Sequence, residues 1–439
     1  MLAALGLVVV LAALREHEVS TSPAPQTATP HRYDIEYPVM NYSGAPRTDP
    51  VARLGQRLDR GAAELKFDDT DGRGYLASLL DALGIDPASQ LLVFSRTSVQ
   101  IPYISSETPR AIYYTDDVYV AWPPGAPEIE IAAMDPNLGP VFYTLQQVGS
   151  GDVRFEREMD ECLRCHDSYS LTGGGVPRYI LGSGFTNDQG YQVTHEGWNL
   201  VDDRTPLEFR WGGWYVTGTH GDQTHMGNWV IRDPEELRAM DLARTGNVTD
   251  LGSLIDTGPY IGKHSDIVAL MLIDHQTRVQ NLITRVNYQT RMLLGEGREE
   301  ADGRDLSPET LEEIRTIAEP LVEALLMVDE AGLTSQIEGT SGFAGIFEQK
   351  GPFDAEGRTL RELDLSRRLF RYPCSYLIYS EAFDALPSLT RRYVLERLRS
   401  ILTGEDQDAV WSHLSADDRR AIFEILQATK PGFPTLGSP

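Results

Sequence analysis

An α+β fold is predicted for this chain of 439 residues, with a sheet-containing part first and a helical part last. Three observations carry the prediction. Short runs rich in Val, Ile and Tyr, broken by Pro and Gly, are confined to Gln90–Gln147. After Gly252 the apolar residues recur on steps of three, four and seven, the spacing of amphipathic helices. Between the two lies a segment with little periodicity that holds two of the three cysteines, in Cys162-Leu163-Arg164-Cys165-His166.

At the N-terminus, Leu2–Leu14 is uncharged, too short to cross a bilayer of about 30 Å as a helix but of the length of a secretory h-region. No positive n-region precedes it and no small-x-small cleavage site follows it cleanly. Residues 1–20 are therefore expected to be an export signal or an uncleaved anchor, which is the chain's one expected membrane contact. Ser20–Pro30, with its Pro, Ser and Thr, reads as linker within 21–45. Helical spacing appears at Val51, Leu54, Leu58 and again at Leu76, Leu79, Leu80, Leu83. The acidic turn Asp68–Gly72 between them lacks the ligand spacing of a calcium loop, which favours a solvated turn. Leu91–Phe94, Ala111–Tyr114, Val118–Trp122 and Val141–Leu145 are the expected strands of a subdomain over 46–150, with Thr115-Asp116-Asp117 as a hairpin turn.

Residues 261–439 are expected to be helical. Ser265–Leu294 carries a stripe of Val268, Leu272, Val279, Leu282, Val286 and Leu293, with His275 inside it. Pro308–Val328, Leu389–Leu402 and Ala416–Leu426 follow, with capping signals at Ser307 and Ser415 and a kink or break expected at Pro320.

Sixty-five acidic against 39 basic residues give a net charge of −26, which argues against nucleic acid or an anionic membrane surface as partner and suits a basic or small neutral one. The same charge would also simply keep an exported protein soluble. Three cysteines cannot form a disulfide framework, so stability must come from core burial. Cys374, in Arg371-Tyr372-Pro373-Cys374-Ser375-Tyr376, has the surroundings of a buried thiol packed as a small hydrophobe rather than a ligand.

Two thiols three residues apart on one turn can each add to a vinyl group of a porphyrin, and the next residue then brings an imidazole under the iron. A zinc knuckle would use the same two thiols but needs two further ligands, such as Cys374 or a histidine, and the chain has no second CxxC. Cys162, Cys165 and His166 thus resemble the attachment motif of c-type cytochromes. The long flanks look like an uncharacterised group of bacterial cytochrome-like proteins, a similarity that implies no activity. The resemblance implies one covalent haem c with its iron, held in a cytochrome c-like helical haem domain over 151–260, and maturation outside the cytoplasm.

In that family the proximal histidine is held by the carbonyl of a proline about a dozen residues on. Pro177 stands eleven residues after His166, behind the glycines of Leu171-Thr172-Gly173-Gly174-Gly175-Val176-Pro177, which would let a loop pass close to a flat cofactor. The distal ligand is commonly a methionine some sixty residues downstream, and Met226 is sixty residues after His166. His225 and His220 compete with it, and His275 ranks behind them as a core histidine. Trp198, Trp211, Trp214 and Trp229 fall close together, suited to walling a haem or to ordinary packing. The resemblance implies electron transfer to a redox partner protein, a basic one on charge grounds. The extra length keeps two other readings open: a peroxidase-like oxidoreductase with an open distal site flanked by His220 or His225, although di-haem peroxidases carry a second CxxCH, and a haem-bearing structural subunit of a larger redox complex.

Overall fold

A computed structural model describes residues 35–70, 72–150, 152–168, 171, 175–193, 197–233, 235, 241–298 and 303–435. The apolar segment Leu2–Leu14, the linker Ser20–Pro30 and positions 172–174 of the glycine loop lie outside these residues.

The α+β expectation holds. Strands β1 (Leu91–Val93), β2 (Arg110–Tyr114), β3 (Val118–Trp122), β4 (Glu128–Asp135), β5 (Gly139–Gln146) and β6 (Phe155–Arg157) form an antiparallel meander. A seventh strand, Trp214–Tyr215, pairs with β1 at the far edge. Thr115–Asp117 makes the β2–β3 turn as its residues suggest, with the Thr115 N–H on the Val118 carbonyl at 2.9 Å. Alternation sends Leu92, Tyr113, Val120, Ile131 and Tyr143 to one face, where they pack with Val51 and Leu54 of the helix Pro50–Asp59 and Leu76 and Leu79 of Leu76–Leu83. Leu91, Ile112, Tyr114, Tyr119 and Met134 face the other way, into a core shared with the C-terminal helices.

That second face is covered by the helix Ile267–Leu294, capped by Asp266, whose carboxylate accepts from the N–H groups of Val268 and Ala269. The stripe seen in the sequence understates it, because the helix is buried around nearly its whole circumference, with Asp274, His275, Gln276, Gln280, Thr284 and Asn287 all inside. Buried polar groups persist only when bonded. The Gln276 amide accordingly donates to Tyr119 Oη at 2.7 Å, Tyr119 Oη donates to Gln280 Oε1 at 2.6 Å, and Tyr114 Oη donates to the Ala269 carbonyl at 2.6 Å. Helix and hairpin meet so closely at Gly139 (φ +70°) that a Cβ there would lie 2.3 Å from Thr284 Cγ2. Outside this helix, Pro308–Leu325 runs through Pro320, so of the kink or break expected there the break does not occur, and Ser388–Leu402 and Ala416–Thr429 complete the C-terminal part. Ser307 and Ser415 cap as expected, the latter in a capping box with Asp418.

The described residues of 151–260 do not carry the long helices of a small cytochrome. They hold the one-turn helix Leu163–His166, 3-10 turns at Leu207–Phe209, Leu242–Thr245 and Leu251–Ser253, and two-residue ladders pairing Gly182–Ser183 with Asn199–Leu200 and Thr186–Asn187 with Val230–Ile231. Loops of this kind need an outside scaffold, and the sheet and the central helix supply it.

Burial pushes the carboxyls of Asp274, Asp117 and Glu330 up to about 7, while His275 and Arg278 hold Asp203 down at about 2 against its own burial. A carboxyl raised on folding binds more protons in the folded state between its unfolded value near ~4 and its folded one, so stability falls as pH rises through that window. Asp203 acts in the opposite sense, but only below that window. The buried histidines His166, His220 and His225 act against this below about 6.5, so the carboxyl effect is read by difference: the thermal midpoint of Asp117→Asn should gain on that of the wild type as pH rises from 5 to 8, and a difference that does not change with pH would contradict the assignment.

Candidate haem attachment site

Cys162 opens the one-turn helix Leu163–His166, and its carbonyl accepts from the N–H groups of Cys165 at 3.2 Å and His166 at 3.0 Å. Both thiols are free and project from this single turn, Cys162 half-buried and Cys165 exposed. Leu163 anchors the turn against the core beneath the first sheet face. Burial, reinforced by the carboxylates of Glu130 and Glu158, pushes the Cys162 thiol up to about 12.

The imidazole of His166 packs at a tilt of 39° against Phe142 of β5, with ring centroids 4.4 Å apart. Its Nδ1 lies 2.6 Å from the Arg178 carbonyl, while the Arg178 N–H returns to the His166 carbonyl at 3.0 Å. The holding carbonyl is thus that of Arg178, one residue beyond Pro177. Pro177 itself is buried. With Nδ1–H donating, Nε2 keeps the lone pair, as an iron ligand requires. Burial keeps the ring below its ordinary value, so it is neutral at pH 7. Beside Phe142, on the same face, Ala132 of β4 and Ala121 of β3 are only half-buried although they lie mid-sheet. An imidazole held through Nδ1 keeps Nε2 for a metal, and the donor set of two thiols and one imidazole fits haem c.

Met226 lies at the other end of one short segment. Arg178 touches His166, Tyr179 packs on Tyr119 at 4.7 Å, and the Ser183 hydroxyl donates to Met226 Sδ at 3.6 Å. Arg178 to Ser183 spans at most about 17 Å when extended. The central helix holds both ends of this segment. The Asn281 amide takes the Tyr179 N–H at 2.8 Å and donates to its carbonyl at 2.9 Å, whereas Asp274, two turns and about 10.5 Å earlier on the helix, binds Arg210 and Trp211 beside Met226.

His220 and His225 stand together, with ring centroids 4.8 Å apart and both buried. Their lone pairs are already taken: Asn247 N–H donates to His220 Nε2 at 2.9 Å and Gly227 N–H to His225 Nδ1 at 3.0 Å. The remaining ring nitrogens therefore carry protons and are donors rather than ligands. Burial holds His225 down at about 3 and His220 also below its usual value, so both are neutral. Of the three distal candidates, Met226 alone presents an atom able to ligate without first losing a hydrogen bond to a backbone amide.

His275 is occupied on both nitrogens, by Asp203 at 2.7 Å and Ser375 at 2.8 Å, and serves the core. Cys374 is fully buried in the C-terminal core. Among the described residues no three of His, Cys, Asp and Glu stand together as a metal site. Trp211 and Trp214 are buried on the Met226 side, and Trp214 Nε1 donates to the Gly182 carbonyl at 3.0 Å. Sequence reasoning missed Arg178, Asn281, Arg210 and Asp274, whose roles depend on contacts 12 to 102 residues away that leave no local pattern. No family model matches the chain, and no curated protein or solved structure matches it either.

In protein made without haem maturation, iodoacetamide at pH 8 should label the exposed Cys165 well ahead of Cys162, and Cys374 only on unfolding. Labelling of Cys374 in the native protein at the rate of Cys165 would contradict this placement.

Proposed function

We propose that the chain is a c-type cytochrome that carries one haem covalently on Cys162 and Cys165, with His166 as proximal and Met226 as distal ligand, and that it transfers electrons outside the cytoplasm. The observation that carries the reading is the Arg178 carbonyl on His166 Nδ1, which leaves Nε2 directed away with its lone pair free. The likeness of 151–260 to a cytochrome c domain rests on this turn and this carbonyl-held imidazole rather than on long helices. Bound haem supplies a one-electron couple, and thioether ligation raises its potential toward values suited to a carrier. The protein's own part is to orient His166, to exclude water with Phe142, Trp211 and Trp214, and to place Met226. A net charge of −26 supports a basic redox partner. The apolar Leu2–Leu14 supports export, which haem c assembly also requires.

A second reading, a peroxidase-like oxidoreductase with an open distal position, is favoured by the pair of buried N–H donors on His220 and His225 beside Met226. Such donors suit hydrogen bonding to an oxygen ligand. The two readings differ in one spectrum. With Met226 bound, the ferric protein is low-spin and shows the weak long-wavelength thioether-to-iron band, which Met226→Ala abolishes while opening the iron to cyanide. A high-spin wild-type spectrum, unchanged by Met226→Ala, would displace the carrier reading in favour of the oxidoreductase.

A further inference from the structure

Met226 lies in a loop without helix or strand of its own, so something else must fix it. Its N–H donates to the Arg210 carbonyl at 2.9 Å. The Arg210 side chain is pinned in turn by the Thr205 carbonyl at 2.6 Å, the Asp203 carbonyl at 2.8 Å and Asp274 Oδ2 at 3.2 Å. That same Asp274 oxygen accepts from Trp211 Nε1 at 3.1 Å, and the Trp211 ring lies 5.5 Å from His225, the residue before Met226. Asp274, Arg210 and Trp211 are all buried. Trp211 also has φ +66°, a left-handed conformation that a bulky residue keeps only where its surroundings over-determine it.

We infer that Asp274 is a positioning residue for the distal ligand: by clamping Arg210 and Trp211 with one buried carboxylate oxygen, it sets where the Met226 thioether stands. The inference rests on the reading of Met226 as ligand. Its specificity comes from the helix. Asn281, two turns on, holds Tyr179 and with it the His166 side through a separate pair of bonds, so loss of Asp274 should loosen one side of the site and spare the other.

The test is Asp274→Asn in the mature protein at pH 8, above the value of about 7 to which burial raises the Asp274 carboxyl, so that the substitution keeps the shape and removes the charge. Covalent haem and far-ultraviolet dichroism should be retained, the thioether-to-iron band should fade, and imidazole should bind the ferric iron about tenfold more tightly, as expected when a buried charge-assisted bond is lost. Hydrogen exchange should accelerate about tenfold at the Met226 amide, by the same reasoning, and stay unchanged at the Tyr179 amide. A variant that is merely less stable, with wild-type band, imidazole affinity and Met226 exchange, would overturn the inference. If Asp274→Asn does not fold, Trp211→Phe removes one of the two donors and carries the same expectations and the same contrary outcome. A wild-type protein without the thioether band would remove Met226 as ligand, whereas the exchange contrast between Met226 and Tyr179 would still decide whether Asp274 holds the loop.

Discussion

A helix of 28 residues buried on nearly all sides, yet carrying an acid, amides and a histidine that cannot reach water, sets the terms on which the rest of this chain folds. Each of those groups must find a partner in the protein, because an unpaired buried polar group costs on the order of 1–3 kcal/mol. The partners come from every part of the sequence: Tyr119 on the sheet for Gln276 and Gln280, Asp203 in the central loops and Ser375 in the C-terminal part for His275, Arg210 and Trp211 for Asp274. Satisfying the helix brings the three regions into one core.

The proposed site is a consequence of that requirement. The described loops between positions 158 and 250 have too little regular structure to hold a geometry by themselves. They are tied to the central helix by Asn281 on the side of His166, by Asp274 on the side of Met226, and by His275 and Arg278 through Asp203. A site slung between several points of one rigid helix keeps its two halves in register, whereas ligands on independent loops would drift. Burial also keeps His166, His220 and His225 neutral, and the backbone amides of Gly227 and Asn247 make donors of the last two. Identical side chains within sixty residues thus acquire different capacities, one to ligate and two to donate.

Much of the frame was legible because its signals are local. The β2–β3 turn, the caps Ser307 and Ser415, and the runs rich in Val, Ile and Tyr of β2, β3 and β5 are each specified within a few residues. Strand β4 was harder, since Glu128, Glu130 and two alanines dilute its strand character, and Trp214–Tyr215 is too short to signal at all. The apolar stripe located the central helix but not its buried polar face, which is indistinguishable in sequence from a solvated one. Cys162, Cys165 and His166 stood out because their spacing is itself a local pattern. The holding carbonyl was placed one residue early, at Pro177 instead of Arg178, because which peptide faces the imidazole depends on how the chain turns after the proline. Asp274 and Asn281 acquire meaning only once Arg210 and Tyr179 are brought to them.

Everything said of the site depends on the haem being covalently attached at Cys162 and Cys165. The most direct measurement is the mass of the fully denatured polypeptide, produced with the haem c maturation system, for the wild type and for the variant with both cysteines replaced by Ala. The account predicts an added mass of one haem in the wild type and none in the double variant. An unmodified wild-type mass, or zinc in place of iron in the native protein, would contradict it.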